Sequence, residues 1–335
     1  MNADVRGVRL QPDQRSCAGG GGPAKAGHYV PRTWKSVSRC LGVSVVRLVI
    51  VAITVVAAGA CRRGPTIDGT QVNAMFMSGA LPTEDPLSAL WDRAPEHPAA
   101  LVPQDIVEPK LAEAGVTRLD VRALHNGEWI VFRLGWADAT ENVLAQTGIT
   151  SDSVAIQLPL QPGSQVPDPA MGEAGKAVQL LYWKALWQDD AERAATGQDR
   201  IAALYPNATT DHYPFLANPA AKDEMARRYA PADAAGNPIT RRASASPVQE
   251  LVAEGYGTTT ATATQKALGR GTWRDGRWLV TIGRPLNEGE GVARLAVGEK
   301  TFVAVAVWDG ASRQAGARKM RSVWIPLVLQ AAPAR

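Results

Sequence analysis

Few side chains in this 335-residue sequence are equipped for chemistry, and their spacing excludes most of the usual sites. Beyond residue 61 there are three histidines, His97, His125 and His212, far apart in the chain. None falls in the H-E-x-x-H spacing that sets two imidazoles on one helix face around zinc, and no serine sits in a G-x-S-x-G elbow. No glycine-rich loop carries the lysine that cradles a phosphate. His125 adjoins Asn126-Gly127, which reads as a solvated turn, and His212 reads as a surface residue. Asp189 and Asp190 are adjacent, so on a regular element their carboxylates diverge. The ten tryptophans, against four phenylalanines, say more. Trp129, Trp136, Trp183, Trp187, Trp273, Trp278, Trp308 and Trp324 fall in or beside alternating segments, which suits either a sandwich core or an apolar pocket for a flat ligand.

The elements that must position these residues are strands. Leu119, Val121 and Ala123 alternate with Arg118, Asp120 and Arg122; after Asn126-Gly127 the alternation resumes at Ile130, Phe132, Leu134 and Trp136. Asn-Gly between two such runs predicts a hairpin with a type I′ turn. Further strands are expected over 154–158, 178–183, 271–283 with a turn at Asp275-Gly276, 302–308 with a turn at Asp309-Gly310, and 323–329. Short strands between Gly, Asp and Pro turns, with little strong helix, predict a mainly β chain folded as an antiparallel β-sandwich. The stretch 189–242, rich in Ala, Asp, Asn and Pro, interrupts it and reads as a long, partly helical insertion with a short helix near 220–229.

The first part of the chain has another purpose. Residues 41–60 are strongly apolar and follow Arg32, Lys35 and Arg39, the arrangement of an export signal. Ala58-Gly59-Ala60-Cys61 resembles a bacterial lipobox, with Ala58 where leucine is usual, and predicts lipidation of Cys61. A single N-terminal transmembrane anchor is the other reading of about 20 apolar residues. Either puts the body on the periplasmic side. The expected organisation is therefore an N-terminal extension and signal over 1–61, a flexible tether over 62–88, and one sandwich domain over 89–331. Cys17 and Cys40 lie in the removed part, so a single cysteine remains and no disulfide framework or cysteine metal site can form. There is no C-x-x-C-H, which excludes covalently attached c-type haem. The net charge of +4 also belongs to the leader: beyond residue 60 there are 28 Lys and Arg against 30 Asp and Glu. Without a basic patch, nucleic acid is excluded as a partner.

The order of the motifs is more specific than any one of them. Ala123 to Gly127, Trp136 to Thr140, Ser153 to Gln157, Pro169 to Gly172, Tyr182 to Ala185, Gly271 to Trp278, Ala306 to Gly310 and Lys319 to Trp324 follow one another as in the ethylbenzene dehydrogenase gamma-subunit family. The sequence resembles that family over roughly 89–330. It comprises the haem b subunits of type II DMSO-reductase-like molybdoenzymes. The resemblance implies one haem b, bound non-covalently in a β-sandwich, with its iron held axially by a methionine and a lysine. By position these are Met171, in Pro169-Ala170-Met171-Gly172, and Lys319, in the segment Arg318 to Trp324. Lys266 and Lys184 are the competing lysines. On the residues alone, Met171 reads as a gap-filling core residue and Lys319 as a surface lysine lying along apolar neighbours; the ligand roles come from the resemblance.

The implied function is electron transfer for a larger oxidoreductase, not catalysis by this chain. The implied partners are a molybdopterin catalytic subunit, an iron-sulfur subunit and a periplasmic c-type cytochrome, with the membrane reached through the lipid anchor. The alternative function is a haem-free ligand- or carbohydrate-binding β-sandwich lipoprotein that uses exposed tryptophans.

Overall fold

The structure is a computed structural model that describes residues 68–144, 147–161, 166–197, 219–229, 231–235, 246–287 and 292–332. Cys61 and His212 lie outside the described residues. The described part falls within one compact unit, 65–335. Its strands are β1 (Val72–Phe76), β2 (His97–Ala100), β3 (Val102–Pro103), β4 (Arg118–His125), β5 (Trp129–Ala137), β6 (Ser153–Pro159) and β7 (Val178–Lys184). Helices α1 (Ala185–Thr196), α2 (Pro219–Tyr229) and α3 (Pro231–Ala234) follow. The chain then returns through β8 (Val248–Ala253), β9 (Thr260–Ala261), β10 (Leu268–Arg274), β11 (Arg277–Pro285), β12 (Lys300–Trp308), β13 (Met320–Arg321) and β14 (Ile325–Leu329).

Two layers are joined by one strand. One layer runs β10-β11-β5-β4-β1-β14, and the other β12-β6-β7-β8-β9. The first half of β12, 300–303, pairs with β14, and its second half, 304–308, pairs with β6. The layers are thus continuous through β12, and their inward faces share a single core. Trp278 of β11 stacks on Trp136 of β5 at 6.2 Å and meets Trp183 of β7 edge-on at 5.3 Å, so aromatic rings close the gap between layers.

The β-sandwich expected from alternation is what forms, with two refinements. Pairing is antiparallel except at β1, which lies parallel to both β4 and β14. Residues 68–88 are also not a free tether: Val72 and Ala74 of β1 are buried in the core between those two strands. Its five-residue run, Val72-Asn73-Ala74-Met75-Phe76, is too short to show a period.

The hairpin at Asn126 forms with a different turn. Asn126 N–H bonds the Trp129 carbonyl at 3.1 Å, so the central residues are Gly127 and Glu128, and only Gly127 has positive φ, +93°. This is the glycine-first pattern of a II′ turn, with the Asn126 side chain accepting the Trp129 N–H at 2.8 Å. The I′ geometry occurs instead at Asp275-Gly276, where φ is +52° and +73°. The insertion begins earlier than expected, since α1 leaves β7 directly, and the chain returns as β8 beside β7. Gln188 of α1 accepts the Trp183 indole N–H at 3.2 Å and the Gly271 N–H at 2.6 Å, tying this helix to both layers.

Candidate functional site

The strands β12, β6, β7 and β8 have two buried faces. Register puts Val305, Ile156 and Leu181 in one row and Val307, Val154 and Trp183 in the next; these large side chains enter the shared core. The intervening rows point the other way and are Ala306-Ala155-Tyr182 and Ala304-Gln157-Leu180-Leu251. Because the period along a strand is two, one set fills the sandwich while the other floors a separate cavity. That cavity has a volume of about 340 Å³, within the range of ligand and cofactor pockets. Three alanines, Ala155, Ala304 and Ala306, leave the floor flat, and Tyr182 and Trp308 stand at one end with ring centroids 4.9 Å apart.

Met171 and Lys319, separated by most of the domain in sequence, both line this cavity. Met171 sits in the loop before β7 at φ +74°, a left-handed conformation unusual for a long side chain. The loop is held around it: Gly172 N–H bonds the Asp168 carbonyl, the Asp168 side chain accepts the Ala170 N–H, and the Met171 carbonyl accepts the Gly255 N–H at 2.8 Å. A strained residue so firmly fixed marks a place where side-chain position matters.

Lys319 immediately precedes β13, whose Met320 pairs with Val307. Its backbone carbonyl accepts the Gln104 N–H at 2.9 Å, and its amine lies 5.1 Å from the centre of the Trp308 ring. Gln104, itself buried, binds Val107 and Ala317 and so knots both flanking loops. Burial, with the nearby Arg321 guanidinium adding to it, brings the Lys319 amine down to about 8. A neutral amine, the form able to donate a lone pair to a metal, is therefore accessible near neutral pH.

The competing lysines separate. Lys184 also lines the cavity, its amine 5.3 Å from the Tyr182 ring and 5.1 Å from that of Trp187, and burial lowers its pKa too. Lys266 is exposed in another groove, beside Glu84 and Gln188. His125 is not a solvated turn residue: it is fully buried, with Nε2 2.8 Å from the Gln330 carbonyl and its ring edge-on to Phe76. It lies on the β4 side, away from the cavity lining.

A soft thioether, an amine whose charged form burial disfavours, a flat apolar floor and aromatic walls fit a planar iron macrocycle. Arg321, with a buried Nε lacking a partner, and Lys184 are the cations on the lining available to the carboxylates of such a group. Reading the sequence for reactive residues misses the alanines of the floor, because small residues announce no chemistry.

A protein of Haloferax mediterranei named for a heme subunit of respiratory nitrate reductase is 24% identical over 246 residues, covering 72% of this chain. The chain spans 66% of that relative's length, just under two thirds. Among solved structures, a family 9 carbohydrate-binding module of Caldicellulosiruptor kristjanssonii in complex with cellotriose superposes with a TM-score of 0.35 at 9% identity, covering 79% of this chain and 98% of that one. A carbohydrate-binding protein of Bacteroides uniformis gives 0.35 at 7% identity, covering 78% and 92%. Superposition at that level is too coarse to bear on ligand chemistry. Residues 88–320 match the ethylbenzene dehydrogenase family, and the chain belongs to it.

Proposed function

We propose that this chain is the haem b-binding electron-transfer subunit of an exported molybdoenzyme-type oxidoreductase, in which the Met171 thioether and the Lys319 amine would hold the haem iron. The observation that carries the reading is that these two residues, distant in sequence, line one cavity whose floor is alanine. Family membership and the haem-subunit name of the Haloferax relative support it independently.

When bound, the haem takes up and releases one electron at a time at its iron. The protein supplies the rest. Met171 offers a soft sulfur that favours the reduced state and raises the potential. Lys319 loses its proton to reach the metal, which its buried setting makes cheap. With both side chains on the iron no position would be left for substrate, so such a site would pass electrons without bond chemistry. Trp308 and Tyr182 exclude water from one end, and Lys184 and Arg321 balance the carboxylates.

The test is reconstitution of purified protein with haemin. One equivalent should bind with a six-coordinate Soret and visible spectrum. Met171→Leu and Lys319→Met should each change that spectrum, whereas Lys184→Met and Lys266→Met should leave it alone. A protein that stays colourless overturns the function; a spectrum that changes in Lys184→Met and not in Lys319→Met moves the ligand.

The location and partners belong to the same proposal. A lipid on Cys61 would tether the domain at the periplasmic face, and a molybdopterin subunit and an iron-sulfur subunit would exchange electrons with it. Among the described residues no helix is long and apolar enough to cross a membrane. Labelled palmitate should enter the wild-type chain and not Cys61→Ser, and the two partner subunits should co-purify with the tagged protein.

A further inference from the structure

Away from the cavity, the described residues bring three carboxylates together: Asp138, Asp152 and Asp309 each place an oxygen within 4.8 Å of the others. Asp138 follows β5, Asp152 precedes β6 and Asp309 follows β12. Pairing of Trp308 with Ser153 sets the last two side by side. All three stand in or next to the ordered motifs Trp136 to Thr140, Ser153 to Gln157 and Ala306 to Gly310, and none of the three lines the cavity.

Their surroundings supply neutral donors only. Asp152, fully buried, accepts N–H groups from Gly310 at 2.8 Å, Asn142 at 2.7 Å and the Trp278 indole at 3.0 Å. Asp309 is bonded by the backbone and hydroxyl of Ser312. Asp138 is more than nine-tenths buried and accepts the Thr140 N–H with one oxygen, while its other oxygen is sealed from solvent with no partner. The Trp136 indole N–H lies beside it without reaching hydrogen-bond geometry. No Lys or Arg among the described residues pairs with any of the three. Keeping the two buried carboxylates, Asp138 and Asp152, charged at such close quarters is costly without a positive partner.

We propose that the three aspartates form a binding site for a hard divalent cation of the calcium class. The donor set is oxygen alone, which disfavours zinc, copper and iron. Oxygens sharing one calcium ion lie at most about 4.6–5.2 Å apart, so three that are all within 4.8 Å of one another are near enough to close on a single ion of that class. Gly310 keeps the site open: a Cβ there would collide with the Thr150 carbonyl oxygen and come within 3.0 Å of Asp152 Oδ1. A cation here would tie together the ends of β5, β6 and β12, two of which floor the cavity.

The test uses the purified full-length protein after chelation. Terbium should give luminescence sensitised by the Trp136 and Trp278 indoles, displaced by calcium, and calcium should raise the melting temperature. Asp309→Asn, the least buried of the three, and separately Asp138→Asn, should each weaken terbium binding at least about tenfold while circular dichroism and haemin binding stay unchanged. No sensitised emission together with a melting temperature indifferent to calcium overturns the proposal, and so does emission that survives both substitutions. Stabilisation by acid alone, with no effect of calcium, would mean that the cluster holds protons instead and would overturn it too.

Discussion

Lys319 should weaken the haem-free fold that it serves. Its amine falls from 10.5 to about 8 because burial disfavours the charged form. A shift of that size corresponds to about 3 kcal/mol at a pH where the amine is charged in both states; some contact with solvent through the cavity reduces this to roughly 1.5–3 kcal/mol. The sign follows from proton counting. Between about pH 8 and pH 10.5 the unfolded chain holds the proton that the folded chain has released, so stability rises with pH across that window. Below it the full cost is present, and above it the cost vanishes. Lys319→Met keeps an apolar stem of similar size and removes the amine. Haem-free Lys319→Met should therefore melt roughly 4–10 °C above wild type near neutral pH, and the gap should close as pH approaches 10.5. Calorimetry or denaturant titration of both proteins over that range reads it directly. A variant less stable than wild type throughout, or a gap that does not change with pH, would refute the reasoning. In the same variant haemin affinity should drop, so stability and cofactor binding move in opposite directions.

Three further outcomes follow from other parts of the structure. Ala306→Leu fills the cavity floor from a residue that faces away from the shared core; haemin titration should show lost binding while stability changes by less than about 1.5 kcal/mol. Met171→Gly removes the left-handed strain at φ +74°, of order 1 kcal/mol, so the haem-free protein should unfold no more easily while its haemin spectrum changes. His125, whose pKa burial lowers, disfavours the proton in the folded state; stability should fall as pH drops below about 6.5, and His125→Phe should flatten that acid limb in denaturant curves.

Strands that face one apolar layer are legible in their own residues. β4, β5 and β11 alternate, and the Asp275-Gly276 turn takes the geometry its residues favour. Elements whose pattern is set by tertiary context are not legible in this way. β1 offers five residues between two partners and is recognised only once β4 and β14 exist to hold it. β8 lies beyond an insertion, and its Val248-Gln249-Glu250-Leu251 mixes polar and apolar residues because buried Glu250 and Gln179 bond each other at 2.8 Å. His125 reads as solvated beside a turn, yet β1 covers it with Phe76. Taking that covering strand for a tether is what leaves the imidazole bare, so the two misreadings have one cause.

The site shows a different limit. Motif order alone picks out Met171 and Lys319, since neither residue type announces a ligand and burial moves the amine toward the neutral form only once the fold exists. The floor, however, is written in the strands. β12 reads Val303-Ala304-Val305-Ala306-Val307-Trp308, and β6 reads Val154-Ala155-Ile156-Gln157-Leu158. A strand with both faces buried against protein would carry large side chains on both; here valine, isoleucine and leucine take one face, while alanine takes most of the other. Alternation of large and small apolar residues, unlike alternation of apolar and polar, implies that the second face meets something bulky that the chain does not itself provide. A flat cofactor is such an object, and leucine in place of alanine on that face is the substitution that separates a ligand floor from a packed core.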